Sequence, residues 1–167
     1  MDLNDRAMKI KLLIMDCDGV LTDGRLYFSA AGEELKVFHV RDGQGLVTWH
    51  AAGFRSAIIS GRDSPIVEMR CKQLGVEFIV QNCHDKVTAF NEILVAAGLT
   101  TEETAFIGDD TPDADVMRLA GLAITVANAH HDAKAAADHV TNTNGGRGAV
   151  REVVDLLLAA RGQVLNF

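Results

Sequence analysis

The sequence predicts an α/β fold, a Rossmann-like and mainly parallel sheet flanked by helices, and three observations support this prediction. Short apolar runs alternate along the chain with segments of helical spacing, which is typical of βαβ units. Glycine closes several of the helical segments, as at Gly53, Gly75 and Gly98. The first apolar run stops at Asp16 and Asp18, which is typical of a buried strand whose carboxyl end carries a ligand site.

The order of the elements follows from this alternation. Apolar runs predict the strands of the sheet, at residues 10–15, 54–59, 76–80, 104–107, 122–126 and 138–141. Helical spacing predicts the helices, at residues 44–52, 64–74, 86–97, 114–120, 132–137 and 149–160. Two further strand-like pieces predict a β-hairpin inserted after the first strand, at residues 25–28 and 35–40 around a loop at 29–34. No remaining segment is long enough to form a cap domain.

Length and composition indicate one soluble domain that spans residues 1–167. Hydrophobic residues make up 48% and charged residues 23%, and no apolar stretch is long enough to cross a bilayer, so no membrane partner is expected. The N-terminus lacks the apolar core of a signal peptide, and the three cysteines have no metal-type spacing; we therefore expect a cytoplasmic protein. A net charge of −7 without a Lys/Arg cluster argues against nucleic acid as a partner.

The predicted hairpin carries apolar residues that its own two strands cannot bury. Leu26, Tyr27, Phe28 and Phe38 offer a hydrophobic face, and an isolated two-stranded hairpin is marginally stable in water. A second copy of the chain is the simplest partner for this face. The alternative is that the hairpin folds back over its own sheet.

Polar residues stand at the ends of several predicted strands. Asp16 and Asp18 end the first strand, Ser60 follows the second, Asp109 follows the strand at 104–107, and Lys86 begins a helix. Strands that end at one edge of a sheet bring such residues together. Carboxylates, a hydroxyl and an ammonium suit an anionic oxygen ligand bound with Mg²⁺, so the pattern favours phosphoryl transfer. For the first pair alone, a solvated turn remains the alternative.

Four ordered segments resemble the signature motifs of the haloacid dehalogenase superfamily of phosphatases, at residues 16–24, 60–62, 85–86 and 108–110. Residues 32–36, 40–43 and 145–152 resemble, more narrowly, the branch that contains 3-deoxy-D-manno-octulosonate 8-phosphate phosphatase. This resemblance runs from about residue 9 to residue 158. It implies Mg²⁺-dependent hydrolysis of a phosphorylated 3-deoxy sugar acid in lipopolysaccharide synthesis. A nine-carbon sugar acid 9-phosphate, an aryl phosphate, and a non-catalytic assembly subunit of the same fold remain alternatives.

The resemblance also implies roles for individual residues. Asp16 would attack phosphorus and form an aspartyl phosphate, and Asp18 would act as general acid and then as general base. Mg²⁺ would be held by the Asp16 carboxylate, the Asp18 backbone carbonyl and Asp109. Ser60 and Lys86 would hold the phosphoryl oxygens.

Two more acids and a substrate-binding set complete the predicted site. Asp110 and Asp113 are expected to orient Asp109 or Lys86, with solvated surface acids as the alternative. Arginine pairs with planar anions, so Arg62 and Arg41 are candidates for a substrate carboxylate, with surface ion pairs as the alternative. The predicted substrate-binding residues are Asp18, Asp23, Arg41, Ser60, Gly61, Arg62 and Lys86.

The resemblance further implies a homotetramer in which the hairpin builds a central barrel and lines a neighbouring subunit's site.

A few residues need separate interpretation. Cys17 is expected in the core, because side chains alternate along a strand and Asp16 and Asp18 take the other face. His130 and His131 are expected at the surface rather than in a zinc site. The chain departs from the family pattern at residues 81–83, where relatives typically have a Gln-Gly pair, and at 112–115.

Overall fold

The computed structural model describes residues 2–162, without the side chain of Glu34. Met1 and residues 163–167, which the predicted domain includes, lie outside the described residues. The strands are β1 (Leu12–Met15), β2 (Tyr27–Ser29), β3 (Gly32–Leu35), β4 (Arg55–Ile59), β5 (Phe78–Val80), β6 (Thr104–Gly108), β7 (Leu122–Thr125) and β8 (His139–Val140). The helices are α1 (Leu3–Ala7), α2 (Val40–Ala51), α3 (Pro65–Leu74), α4 (Lys86–Ala97), α5 (Ala114–Leu119), α6 (His131–Ala136) and α7 (Ala149–Ala159).

The main sheet is parallel and has β1 near its centre. In the described chain its order is β5-β4-β1-β6-β7-β8, and every neighbouring pair is parallel. Side chains of β1 alternate between two cores: Leu13 and Met15 pack with residues of α2 and α7, whereas Leu12 and Ile14 pack with residues of α4 and α5. Helices therefore cover both faces, and the predicted α/β fold is confirmed.

The predicted strands and helices of the main sheet are all present, with ends that differ by a few residues. Helix α2 differs most, because it begins at Val40 rather than at residue 44. Glycine disfavours helix, and Gly43 stands directly before the predicted start, so the sequence favoured a helix that begins after it. Gly45 instead allows close packing, since a Cβ there would lie 3.1 Å from the Arg151 Cα of α7. The short helix α1, which Asp2 caps, was not predicted.

The hairpin exists, but its strands are shifted from the predicted positions. Strands β2 and β3 join through a turn at residues 30–31, where the Ser29 hydroxyl accepts a hydrogen bond from the Ala31 amide at 3.1 Å. The predicted loop at 29–34 and second strand at 35–40 were therefore wrong, because β3 ends at Leu35 and an irregular segment leads to α2. Phe38, expected on the exposed face, is half-buried and lies under the Arg70 guanidinium. Within residues 2–162, no separate cap domain covers the sheet.

The helices are also informative about membranes. Among the residues that the structure describes, every helix is too short or too polar to span a lipid bilayer.

Candidate active site

The polar ends of three neighbouring strands meet at one edge of the main sheet. Asp16 follows β1, Ser60 follows β4 and Asp109 follows β6, and β1 pairs with both of the other strands. Lys86 joins them from the first turn of α4, which Asp85 caps. These side chains line a cleft of about 560 Å³. The cleft lies at the carboxyl ends of the strands, where parallel sheets bind their ligands.

Lys86 bridges two buried carboxylates. Its Nζ donates hydrogen bonds to Asp16 Oδ1 at 2.6 Å and to Asp113 Oδ1 at 2.7 Å. Asp113 Oδ2 accepts hydrogen bonds from the backbone amides of Asp109 and Asp110 at 3.0 and 3.2 Å. Although burial alone lowers the pKa of Lys86, the charges of Asp16 and Asp113 outweigh it and raise that pKa, so Lys86 stays cationic. Asp113 makes the contacts that an orienting role requires.

Three carboxylates crowd together beside this lysine. Oxygens of Asp16, Asp109 and Asp113 lie within 4.8 Å of one another. Burial, and then the charges of Asp16, Asp113 and Asp110, raise the pKa of Asp109 to about 8. Burial also raises the pKa of Asp16 to about 6, although Lys86 acts in the opposite direction. One ammonium does not neutralise three carboxylates, so the cluster fits a hard divalent cation such as Mg²⁺. Both oxygens of Asp113 already accept hydrogen bonds, whereas Asp16 uses only Oδ1 to accept the bond from Lys86, so Asp16 and Asp109 are the better placed ligands for the cation.

Gly19 provides the space for the Asp109 carboxylate. Its backbone has a φ of +100°, and a Cβ at this position would lie 2.0 Å from Asp109 Oδ2. A side chain at residue 19 would therefore strain the backbone and displace the carboxylate. The glycine of the first motif is a steric requirement of the acidic cluster.

Asp18 contacts residues of the hairpin segment. Its Oδ1 accepts a hydrogen bond from Lys36 Nζ, and its Oδ2 is 3.7 Å from Arg62 Nε. Glu33 lies between the same two cations, with Oε1 3.5 Å from Lys36 Nζ and Oε2 3.3 Å from Arg62 Nη2. Although burial acts in the opposite direction, hydrogen bonds from Ser64 and Arg62 lower the pKa of Glu33, so it stays ionised. The hairpin and the loop after β4 are thereby joined beside the cleft.

Glu33 and Lys36 were not singled out as site residues from the sequence. Both belong to the motif at 32–36, and the hairpin follows directly on the strand end that carries Asp16 and Asp18. This nearness in sequence was the available signal. The burial of Lys36 depends on its contact with Asp18. The local sequence does not predict this burial, since the apolar neighbours Leu35 and Val37 are exposed and the charged Lys36 is buried.

Other predicted residues line the cleft with fewer contacts. The Ser60 hydroxyl is buried and accepts a hydrogen bond from the Arg62 amide at 3.3 Å, and Gly61 and Arg62 line the cleft. Asp110 is exposed and accepts a hydrogen bond from the Thr111 amide at 2.8 Å, while its own amide contacts Asp113.

Arg41 and Asp23 lie apart from this group. Arg41 is exposed in the first turn of α2, where its amide donates to His39 Nδ1 at 3.2 Å. Asp23 accepts a hydrogen bond from the Arg25 amide at 3.1 Å and lies 3.7 Å from Arg147 Nη2. Within residues 2–162 neither side chain lines the cleft, so their roles in substrate binding stay predictions.

Cys17 lies in the core, and His130 and His131 lie at the surface, as the sequence predicts. Cys17 is fully buried in the same core as Leu13 and Met15, and burial raises the pKa of its thiol well above the usual value. His130 and His131 are exposed.

The two departures from the family pattern have different settings. Asn82 has a φ of +52°, a left-handed conformation that asparagine and glycine adopt most readily, so it can replace the typical glycine. At 112–115, Pro112 and Asp115 are exposed and line the cleft.

Comparison with known proteins agrees with this geometry. Residues 45–153 match the family model described as haloacid dehalogenase-like hydrolase. The 3-deoxy-D-manno-octulosonate 8-phosphate phosphatase of Escherichia coli strain K12 is 45% identical over 163 residues, which cover 98% of this chain and 87% of that protein. The Haemophilus influenzae enzyme of the same name is 43% identical over 161 residues, 96% of this chain and 89% of that protein.

Solved structures give the same result. The Moraxella catarrhalis 3-deoxy-D-manno-octulosonate 8-phosphate phosphatase, solved with magnesium, phosphate and KDO, superposes with a TM-score of 0.91 at 42% identity. The alignment covers 94% of this chain and 90% of that structure. On the ordered motifs, the acidic cluster at the sheet edge and these matches, the chain belongs to the haloacid dehalogenase-like hydrolase family.

Proposed function

We propose that this protein is a Mg²⁺-dependent phosphatase that converts 3-deoxy-D-manno-octulosonate 8-phosphate to 3-deoxy-D-manno-octulosonate and inorganic phosphate. The observation that carries the proposal is the 2.6 Å contact between buried Asp16 and Lys86 beside the Asp109 carboxylate. It brings a nucleophile, a cation for phosphate oxygens and a metal donor to one place. Relatives of that name, 43% to 46% identical over nearly all of this chain, support the substrate. This substrate belongs to lipopolysaccharide synthesis.

The first half-reaction forms an aspartyl phosphate on Asp16. Lys86 keeps the Asp16 carboxylate oriented, and a carboxylate oxygen bonds to phosphorus as the bond between phosphorus and the sugar oxygen breaks. Asp18, in its acid form, gives its proton to the departing alkoxide, which leaves as the sugar alcohol. Ser60 and Lys86 donate hydrogen bonds to the phosphoryl oxygens during the transfer.

The second half-reaction restores the enzyme with the same groups. The Asp18 carboxylate takes a proton from a water molecule as the water oxygen bonds to phosphorus. The bond between phosphorus and the Asp16 oxygen then breaks, which releases inorganic phosphate and regenerates the carboxylate. Asp16, Asp109 and the backbone carbonyl of Asp18 would hold Mg²⁺, which supplies positive charge that lets an anionic nucleophile approach a phosphate ester.

The distal end of the substrate requires a cation for its carboxylate. Arg62 fits this role, because it lines the cleft and its side chain is 41% exposed. A guanidinium can pair with a carboxylate through two parallel hydrogen bonds. Arg62 Nη2 donates a hydrogen bond to Glu33 Oε2 of the hairpin at 3.3 Å, which orients the guanidinium.

The active unit that we propose is a homotetramer in the cytoplasm. Five apolar side chains of the hairpin segment are at least 40% exposed, namely Leu26, Tyr27, Phe28, Leu35 and Val37. Such a concentration of exposed apolar side chains in one short segment is typical of a protein interface. The three cysteines are free thiols, as is usual for a protein of a reducing compartment.

A steady-state comparison of phosphate esters tests the function. We expect the highest kcat/KM for 3-deoxy-D-manno-octulosonate 8-phosphate, lower values for a nine-carbon sugar acid 9-phosphate, and the lowest for phenyl phosphate. EDTA should stop turnover and Mg²⁺ should restore it. A preference for the nine-carbon or the aryl ester would contradict the substrate, and restoration by zinc alone would contradict an all-oxygen metal site.

The Asp109→Asn variant tests the metal donors directly. We expect it to require at least about tenfold more Mg²⁺ for half-maximal activity, because it removes one charged ligand. Asp155→Asn is the matched control, since Asp155 pairs with Arg151 on α7 outside the cleft. An unchanged Mg²⁺ requirement in Asp109→Asn would contradict the assignment.

A further inference from the structure

Four charged side chains form a closed ring of alternating sign that includes Asp18. Lys36 Nζ contacts Asp18 Oδ1 and lies 3.5 Å from Glu33 Oε1. Arg62 closes the ring, with Nη2 3.3 Å from Glu33 Oε2 and Nε 3.7 Å from Asp18 Oδ2. Each of the two cations therefore lies close to both carboxyl groups.

Lys36 is the most deeply buried member of this ring. Its side chain is 1% exposed, whereas that of Arg62 is 41% exposed. A buried ammonium is unfavourable unless carboxylates pair with it, and even a paired one is weak evidence for a gain in stability. The surface lysine Lys72, whose side chain is 67% exposed, shows the ordinary case of an ion pair in solvent. The burial of Lys36 against Asp18 therefore calls for a role other than stability.

We propose that Lys36 is a positioning residue that orients the Asp18 carboxylate for proton transfer to the leaving group. The inference rests on the proposed function, in which Asp18 is the general acid. Lys36 fixes Oδ1, so Oδ2, which is beyond hydrogen-bond distance of Arg62, is the oxygen that exchanges a proton with the substrate. Glu33 holds Lys36 from the other side and is itself held by Ser64 Oγ at 3.0 Å.

The test compares two aryl esters of similar size, p-nitrophenyl phosphate and phenyl phosphate. p-Nitrophenolate leaves without help from an acid, whereas phenolate is a poorer leaving group and depends more on a correctly placed proton. The ratio kcat/KM reports the steps from substrate binding to transfer of the phosphoryl group to Asp16, so it excludes the later hydrolysis of the aspartyl phosphate. Because neither ester carries the sugar acid, the comparison is independent of which sugar acid is the substrate.

The Lys36→Met variant keeps an unbranched side chain and removes the charge. We expect kcat/KM to fall about 30-fold for phenyl phosphate and less than about threefold for p-nitrophenyl phosphate. Lys72→Met is the matched control, and it should leave both ratios within about twofold of the wild type. A loss of packing alone would lower both ratios equally.

A double variant covers the case in which Lys36→Met alone folds poorly. Asp18→Asn with Lys36→Met removes both charges of the contact, so no unpaired charge is left by the substitution. If Lys36 acts through Asp18, kcat/KM for phenyl phosphate should be less than about twofold lower in the double variant than in Asp18→Asn. The positioning role would be overturned, with the proposed function left intact, by either of two results. One is that the losses of the two single variants multiply in the double variant, and the other is that Lys36→Met lowers kcat/KM equally for the two esters. A wild-type enzyme that hydrolyses neither these two esters nor 3-deoxy-D-manno-octulosonate 8-phosphate would overturn the proposed function, and the role of Lys36 with it.

Discussion

The two sides of the cleft are built in different ways. The phosphate side, with Asp16, Lys86 and Asp109, stands on the ends of buried parallel strands and on the first turn of α4. On the hairpin side, Glu33 lies on β3 and Lys36 lies directly after it, and the apolar side chains of this two-stranded hairpin are largely exposed. Backbone register fixes the first side, whereas contacts between long charged side chains hold the second.

This difference separates two tasks of a phosphatase. Every phosphate ester presents the same phosphoryl group, so a rigid arrangement of charges suits that end of the substrate. The leaving group varies between esters, and long side chains of a hairpin can change without disturbing the sheet. We therefore expect substitutions on the phosphate side to affect all esters alike, and substitutions on the hairpin side to discriminate between them.

The largest effect is expected for Asp16→Asn. An amide has nearly the same shape as the carboxylate but is a poor nucleophile, so kcat should fall by at least about 1,000-fold for every ester. Thermal unfolding should change little, because burial already disfavours the charge of Asp16 and Lys86 keeps its contact with Asp113. Activity above one tenth of the wild type would contradict covalent catalysis by Asp16.

Gly19→Ala should have the next largest effect. The new Cβ would lie 2.0 Å from Asp109 Oδ2, so the carboxylate must move and Mg²⁺ should bind less tightly. We expect kcat/KM to fall about 100-fold for all esters at fixed Mg²⁺ and to recover partly as Mg²⁺ is raised. Isothermal titration with Mg²⁺ measures the loss of affinity independently of turnover.

Gly53→Ala is the matched control for this variant. Gly53 has a φ of +88° with open space where a Cβ would stand, whereas Gly19 has a φ of +100° and no space. Both substitutions should cost about 1–3 kcal/mol of stability through backbone strain. Only Gly19→Ala should change the Mg²⁺ affinity, and an equal change in Gly53→Ala would trace the effect to strain rather than to Asp109.

The same contrast explains what could be predicted from the sequence. The phosphate side was predictable because apolar runs that stop at Asp16, Ser60 and Asp109 specify parallel strands, and strand order brings their ends together. The hairpin side was less predictable, since the pairing of β2 with β3 depends on the turn at 30–31 and includes a register shift. Lys36 and Asp18 meet through the tertiary structure, so the periodic pattern of apolar residues in the sequence does not predict their contact.

Asp42 shows a second limit of sequence reasoning. It lies in the motif at 40–43, yet it is buried and its carboxylate accepts hydrogen bonds from the Gly148 and Arg151 amides at 3.1 and 2.9 Å. These contacts cap α7 at its first turn. A motif that carries a family resemblance can therefore hold the fold together as well as the site.

Arg62→Met tests whether the hairpin side discriminates between esters. If Arg62 pairs with the substrate carboxylate, kcat/KM for the sugar-acid phosphate should fall at least about tenfold. For p-nitrophenyl phosphate, which has no carboxylate, the loss should stay within about threefold. Arg6→Met is the control, because Arg6 forms an ion pair with Asp138 outside the cleft. Equal losses for both esters would place Arg62 with the phosphate side of the cleft.

The smallest effect is expected where the hairpin meets a neighbouring subunit. Tyr27 and Leu35 face each other across β2 and β3 and are 40% and 50% exposed. The double variant Tyr27→Lys with Leu35→Glu places opposite charges across the two strands. This charge pair preserves the hairpin, while the two substitutions remove apolar surface. We expect light scattering to report a smaller oligomer, and KM for the sugar-acid phosphate to rise about fivefold with p-nitrophenyl phosphate nearly unchanged.

Val95→Glu is the control for this double variant, because Val95 is 84% exposed on α4, away from the hairpin. It should alter neither the mass in solution nor the KM for either ester. If the hairpin variant becomes monomeric but keeps the wild-type kcat/KM for the sugar-acid phosphate, the hairpin surface serves assembly alone. The leaving-group end of the substrate would then be recognised entirely within one chain, by the ring of Asp18, Glu33, Lys36 and Arg62.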